Sequence, residues 1–429
     1  MERASKAQAA AAQEEPRLTA PTATAPGRLA SSRLLTPGGV ATLGIALGAV
    51  ALWLVLPPVT SRTIAVPLVV GAAGAAAGGW AIRRGGRRIG WGAVASGLIG
   101  MLGGVFVTRA SAAHLSDVIT WSTLVSLTLV YMTPLLFAAL GGMFSERSGV
   151  VNIGLEGMML MGAFFGVWGA DRTNSWVLGV VVGVLSGALL ALVHAYFSIH
   201  LRSDQIVSGT AINFLALGIT GYLYNDIYGE KGTPGDLPAM PNVNLDFLAA
   251  VPPRTLGHFL QDSLSGISLM TLLALALVVL SWIVLFKTAI GLRIRACGEH
   301  PRAADTVGIN VYAIRYAAVT LSGMLAALGG VFLSIGFSHS FTENMTAGRG
   351  FIALAAMIFG NWRPFGALWA TLLFGFSSAL SPQLENVDAW ANYSTLFAAL
   401  PYLLTLIAVA GVIGRSIPPA ADGRPYRKQ

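Results

Sequence analysis

An all-α, polytopic membrane bundle of about twelve transmembrane helices is the fold class the sequence predicts. Three observations predict it. Only 11% of the 429 residues are charged and 55% are hydrophobic, whereas soluble domains carry roughly a quarter charged residues. The apolar residues gather in runs of about 20, the length that crosses a bilayer as a helix. When successive runs alternate across the membrane, 21 of the 27 Lys and Arg residues fall on one side, which marks that side as cytoplasmic and places both termini there.

In order, the runs are Gly38–Leu56, Ile64–Ile82, Ile89–Val107, Trp121–Met143, Val150–Ala170, Trp176–Ile199, Gln205–Tyr224, Ile267–Phe286, Tyr312–Gly336, Phe351–Trp362, Gly366–Ser381 and Thr395–Gly414. The Ala-, Pro- and Thr-rich segment 1–37 lacks an apolar stretch and reads as a disordered cytoplasmic tail, not as a signal peptide. The first three spans are Ala- and Gly-rich with little polar content, so residues 38–115 read as an accessory unit. Residues 116–414 read as the working core and 415–429 as a second cytoplasmic tail. The outer loop Asn225–Gly266 is rich in Pro and Gly and suits a small cap or docking surface. The inner loop Lys287–Val311 is basic and patterned as a short amphipathic helix.

Two core spans are interrupted. Val150–Ala170 has a polar, Gly-rich first half, and Phe351–Trp362 is short, flanked by Thr346-Ala347-Gly348-Arg349-Gly350 and Arg363-Pro364. Interrupted spans in corresponding places point to a mid-membrane site or gate. Asn152 and Glu156 stand four residues apart, on one face if that stretch is helical. Glu156 is the only carboxylate well inside a span, and such groups face protein or a pathway. With Asn213 and Asn344 they form the candidate substrate path. The bland alternative is that Asn152, Glu156 and Asn213 bond one helix to another. Glu146–Arg147 reads as a local ion pair at a span's inner end, His194 as meeting the interface, and Trp121, Trp176, Trp362 and Trp390 as an interfacial belt.

In the inner loop, Pro301 suits the first turn of a helix. Glu299 and His300 precede it, Arg302–Val307 can be helical, and Gly308 can end it. Ala303, Ala304 and Val307 then share a face, with Arg302 and Asp305 beside it. That is either a helix for a partner's groove or an ordinary basic connector.

Several function classes drop out. The net charge of +8 sits in short loops and does not signal nucleic acid. The single Cys297 excludes an internal disulfide and a multi-Cys metal site. No G-x-x-x-x-G-K-[ST] occurs, so the chain has no P-loop, and neither an H-E-x-x-H nor a G-x-S-x-G occurs. One intramembrane carboxylate also falls short of the relay of a proton-coupled transporter.

The segment RAADTVG resembles the EAA---G coupling motif of ATP-binding-cassette (ABC) importer permeases, with Ala303, Ala304 and Gly308 in register and Arg302 where the family often has Glu. More widely, Phe144–Gly166, Gly291–Val311 and Asn344–Leu368 resemble permeases of nucleoside and simple-sugar ABC importers, relatives of the ribose-type permeases. The resemblance runs from about Trp121 to Gly414 and does not cover the first 115 residues. It implies a core of 9–10 helices built from inverted repeats, in a bacterial cell membrane, that hydrolyses nothing and needs no cofactor or metal. The implied partners are ABC ATPase subunits docking on Glu299, Arg302, Ala303, Ala304, Asp305 and Gly308, a second permease subunit related to this chain, and an extracytoplasmic solute-binding protein. The implied cargo is a nucleoside, with a simple sugar second. An ATP-independent secondary transporter of a small polar solute is the alternative.

Overall fold

The computed structural model describes residues 36–55, 63–109, 120–385, 399 and 416–428. The expected span Thr395–Gly414, Trp390 and the first 35 residues lie outside the described residues.

Three helices come first: α1 (Pro37–Trp53), α2 (Ala65–Arg83) and α3 (Arg87–Arg109). They pack on one another through small residues, with Gly44 lying against Gly74 and Ala93. Then follow α4 (Trp121–Arg147), α5 (Leu155–Thr173), α6 (Trp176–Ala195, ending in a π-helical turn Tyr196–His200) and α7 (Gln205–Ile227). The loop Asn225–Gly266 with the start of the next helix forms a small cap: a two-stranded antiparallel ladder of β1 (Asn242–Val243) and β2 (Ile267–Ser268), and the helix α8 (Arg254–Leu264). Next come α9 (Leu269–Lys287), α10 (Ala289–Glu299), α11 (Pro301–Thr306), α12 (Val311–Val331, continued by a π-helical segment Phe332–Ser338), α13 (Arg349–Phe359) and α14 (Pro364–Glu385).

Side-chain caps set several starts. Asp204 accepts from Ile206 and Val207 N at α7, Ser268 from Met270 N at α9, Thr288 from Gly291 N at α10, and Asn310 from Ala313 N at α12. Each satisfies an orphan donor of a first turn.

The axis of the bundle is α4 with α12, the most buried of the seven spans long and apolar enough to cross a membrane, at 67% and 78% of their apolar windows against 28–50% for the other five. Close approach demands glycine there: a side chain on Gly330 would strike the Met159 carbonyl, and one on Gly323 the Gly187 carbonyl. Without a hydrophobic force between helices in lipid, such small-residue contacts drive association.

Seven helices are long and apolar enough to cross a membrane and three more are apolar but shorter. The polytopic helical class therefore stands, while twelve spans are not reached among the described residues. Three local expectations change. Val150–Ala170 is helical only from Leu155, because Gly149 takes φ +90° and the chain turns before re-entering. Asn152 and Glu156 thus do not share a helix face. Gly366–Ser381 extends to a full 22-residue helix, since Pro364 starts it at its first position. Lys287–Val311 makes two helices, the second beginning at Pro301 as read.

Candidate functional site

At the break before α5, Asn152 is fully buried and donates from Nδ2 to Ser322 Oγ of α12 at 2.9 Å. Asn213 of α7 staples the same break: its Oδ1 accepts from Gly157 N at 2.8 Å, and its Nδ2 donates to Ile153 O at 3.0 Å. Glu156, in the first turn of α5, reaches the second interruption. Its two carboxyl oxygens accept from Gly348 N at 2.8 Å and Gly350 N at 2.6 Å, donors that the first turn of α13 leaves without helical partners. Gly348 stands at φ +81°, a conformation glycine adopts freely. One carboxyl group therefore locks two broken helices together. Asn344 stands apart, exposed on the turn before α13 at φ 54°, where Glu343 accepts from Asn225 Nδ2 at 2.6 Å.

The structure thus brings Asn152, Glu156 and Asn213 to one break and leaves Asn344 outside it. The polar atoms of Glu156 and Asn213 bond to backbone across the break, and Asn152 bonds through Nδ2 while its buried Oδ1 has no partner among the described residues.

A second site forms at the opposite end of α13. Glu146 and Arg147 are not a local ion pair. Glu146 accepts from Trp362 Nε1 at 2.6 Å, while Arg147 donates from Nη2 to Trp362 O at 2.9 Å and from Nε to the same oxygen at 3.1 Å. Trp362 is buried and is no belt residue. His194 is also fully buried, bonded to Ser208 Oγ at 3.0 Å and Val151 O at 3.1 Å, rather than at an interface. Arg315, in the first turn and a half of α12, is the largest fully buried side chain. It donates from Nε to Ser148 O and from Nη1 to Arg424 O, each at 3.1 Å. Gly149 must lack a side chain there, because a Cβ would stand 2.6 Å from Arg315 Nη2.

Residues 416–428 strap across this end. Ile417 N donates to Asn361 Oδ1 at 3.1 Å, Ala421 N to Gly298 O at 2.8 Å and Ala420 N to Glu299 Oε2 at 3.2 Å. Tyr426 packs into a small core with Cys297, Ala304 and Val311. Burial, then the hydrogen bond and charge of Asp305, push its hydroxyl up to about 12. Burial pushes the Cys297 thiol up to about 11, which makes it a poor nucleophile. Burial also raises the Asp422 carboxyl, which bonds to that of Glu146, to about 7.

On α11, Ala304 is buried, while Ala303, Arg302 and Val307 are exposed, Val307 at 74%. Gly308 ends the helix at φ +85°. The expected single face of Ala303, Ala304 and Val307 is therefore split: Ala304 anchors the helix and the other two point outward. A groove of about 540 Å³ runs between α11 and the strap, lined by Glu299, Arg302, Ala303, Arg424, Tyr426 and Arg427.

Sequence reasoning missed Arg315 and the strap. Arg315 stands at the fourth position of the apolar run Tyr312–Gly336, a signal of depth. The strap has no periodicity to announce it.

The family described as branched-chain amino acid transport system / permease component matches residues 124–409. The chain belongs to this permease family. Its curated relatives include the guanosine ABC transporter permease protein NupQ of Bacillus subtilis, 44% identical over 315 residues, covering 72% of this chain and 97% of the relative. The nucleoside ABC transporter permease protein NupC of Lactococcus lactis is 41% identical, over 72% of this chain and 98% of the relative. A putative glucose ABC transporter permease, TsgC13 of Haloferax volcanii, is 37% identical, over 62% and 78%. No solved structure gives a significant match. The chain is thus a multi-pass membrane permease, and the two interruptions and the α10–α11 elbow all fall within the matched residues.

Proposed function

We infer that this permease is the membrane subunit of an ATP-driven importer whose cargo is a nucleoside. The observation that carries this is the alignment with the guanosine permease, which takes in 97% of that relative at 44% identity. In this reading an extracytoplasmic binding protein delivers the cargo to the cap side, and a second, related permease subunit completes the path. Cytoplasmic ATPases dock on α11, with both termini on the same side of the bacterial membrane. The exposed Ala303 and Val307 offer a small apolar knob for a partner's groove, and the basic rim of Arg302, Arg424 and Arg427 suits an acidic partner surface. The strap fixes α11 to the 361–362 turn and to α12, so a push on α11 reaches the broken helices as a rigid-body movement.

Radiolabelled guanosine uptake by cells expressing the complete system tests the cargo. Uptake that excess guanosine suppresses and excess glucose does not is the expected result; the reverse would favour a sugar. Uptake that persists without any ATPase subunit would make the chain a secondary transporter.

A further inference from the structure

Of the path residues expected from sequence, Glu156 and Asn213 are taken up by packing bonds and Asn344 stands apart, so the resting place of the cargo is sought elsewhere. One cavity among the described residues has the right chemistry. It holds about 210 Å³ and lies between α4, the π-helical end of α12 and the turn before α13, lined by Tyr131, Phe332, Phe337, Thr342, Met345 and Arg349.

Its place follows from the end of α12. The turn after that helix is bound to the 225–266 loop, where Glu343 accepts from Asn225 Nδ2 at 2.6 Å and Phe341 N donates to Thr233 Oγ1 at 3.2 Å, so the cavity lies at the cap end of the bundle. The turn is also strained: His339, Asn344 and Ala347 all take left-handed φ, at 51°, 54° and 44°. Strain of this kind and π-helical segments both gather at functional sites.

The lining has two kinds of surface. Tyr131 and Phe337 meet edge to face, with centroids 6.0 Å apart, and Phe337 is 44% exposed. Opposite them, Arg349 uses Nη1 on Met345 O and Thr346 O at 3.0 and 3.2 Å. Its remaining N–H groups and the exposed Thr342 hydroxyl have no partner among the described residues. Aromatic faces with a few convergent hydrogen-bonding groups recognise a flat heteroaromatic ring carrying polar edges.

We propose that this cavity is a transient station for the nucleoside, with the base against Tyr131 and Phe337 and its polar edge toward Arg349 and Thr342. The site rests on the nucleoside reading above. At about 210 Å³ it is smaller than the roughly 300–1,000 Å³ of pockets that enclose a whole ligand, so it takes the base and leaves the ribose outside.

The test is photolabelling of the complete transporter in vesicles with 8-azidoguanosine, followed by peptide mapping. The expected label falls on the peptides holding Tyr131, Phe337 or Met345, and excess guanosine protects them. Tyr131→Leu should lower labelling about tenfold, as loss of one stacking contact implies, while Tyr131→Phe keeps it. Retained ATPase co-purification shows that each variant is folded. Azidoguanosine that is transported but labels elsewhere, or labelling that Tyr131→Leu leaves intact, overturns the station and spares the nucleoside reading. A system that transports glucose and neither guanosine nor its azide overturns both. Protection in the wild-type protein decides the matter even if the Tyr131 variants fail to assemble.

Discussion

Single residues carry the joints of this molecule. Glu156 bonds two backbone N–H groups across the gap between broken helices, and hydrogen bonds to charged groups contribute about 1.5–3 kcal/mol each. Glu156→Ala should therefore destabilise the protein by about 3 kcal/mol or more and abolish uptake. Glu156→Gln, which keeps one acceptor, should lose less; equal thermal melting of both variants and wild type would refute the role. Arg315 is a buried fork between Ser148 O and Arg424 O. Arg315→Lys keeps the charge but cannot reach both carbonyls with one ammonium, so the strap should loosen, seen as faster hydrogen exchange of 417–426. Asp422 adds a pH dependence. Its carboxyl is ordinarily near 3.8, and burial raises it to about 7 when docked. Docking thus takes up a proton between those values. The strap is held most firmly below about pH 4, weakens as pH rises to about 7, and levels off above. Strap protection factors, which remove the intrinsic base-catalysed rise of amide exchange, should fall from pH 5 to 8, and Asp422→Asn should flatten that fall.

At the scale of elements, α11 divides its labour. Ala304 faces the Cys297–Val311–Tyr426 core, whereas Ala303 and Val307 face outward. A bulky charge at Ala304 should unseat the helix and lower expression. Ala303→Glu or Val307→Glu should leave the fold intact and reduce ATPase co-purification several-fold; unimpaired binding would exclude α11 as the docking element. Removing residues 417–429 should weaken ATPase binding while leaving the buried axis of α4 and α12 formed, checked by the melting temperature. Both outcomes follow because the strap is held by few bonds at one end, whereas the axis is held by packing along its whole length.

At the scale of the whole molecule, the guanosine permease aligns over 97% of its own length with 72% of this chain, and the family match begins at residue 124. A chain lacking residues 1–115 should therefore insert, bind its ATPase and support uptake; loss of all three would make α1–α3 part of the permease proper. The sequence by itself determined the membrane class, the order of the spans among the described residues, the break sites and the helix that Pro301 starts, because apolar run length, glycine and proline act locally. It could not decide which polar side chain meets which backbone. Asn152 and Glu156 are four residues apart, yet one bonds α12 and the other α13, because Gly149 turns the chain and the helix starts only at Leu155. Trp362 looked like a membrane anchor and is a buried donor to Glu146, and a tail without pattern proved to be a strap. Those choices belong to tertiary structure: at membrane depth each polar group must find a partner, and the nearest one is set by how helices pack, not by distance along the chain.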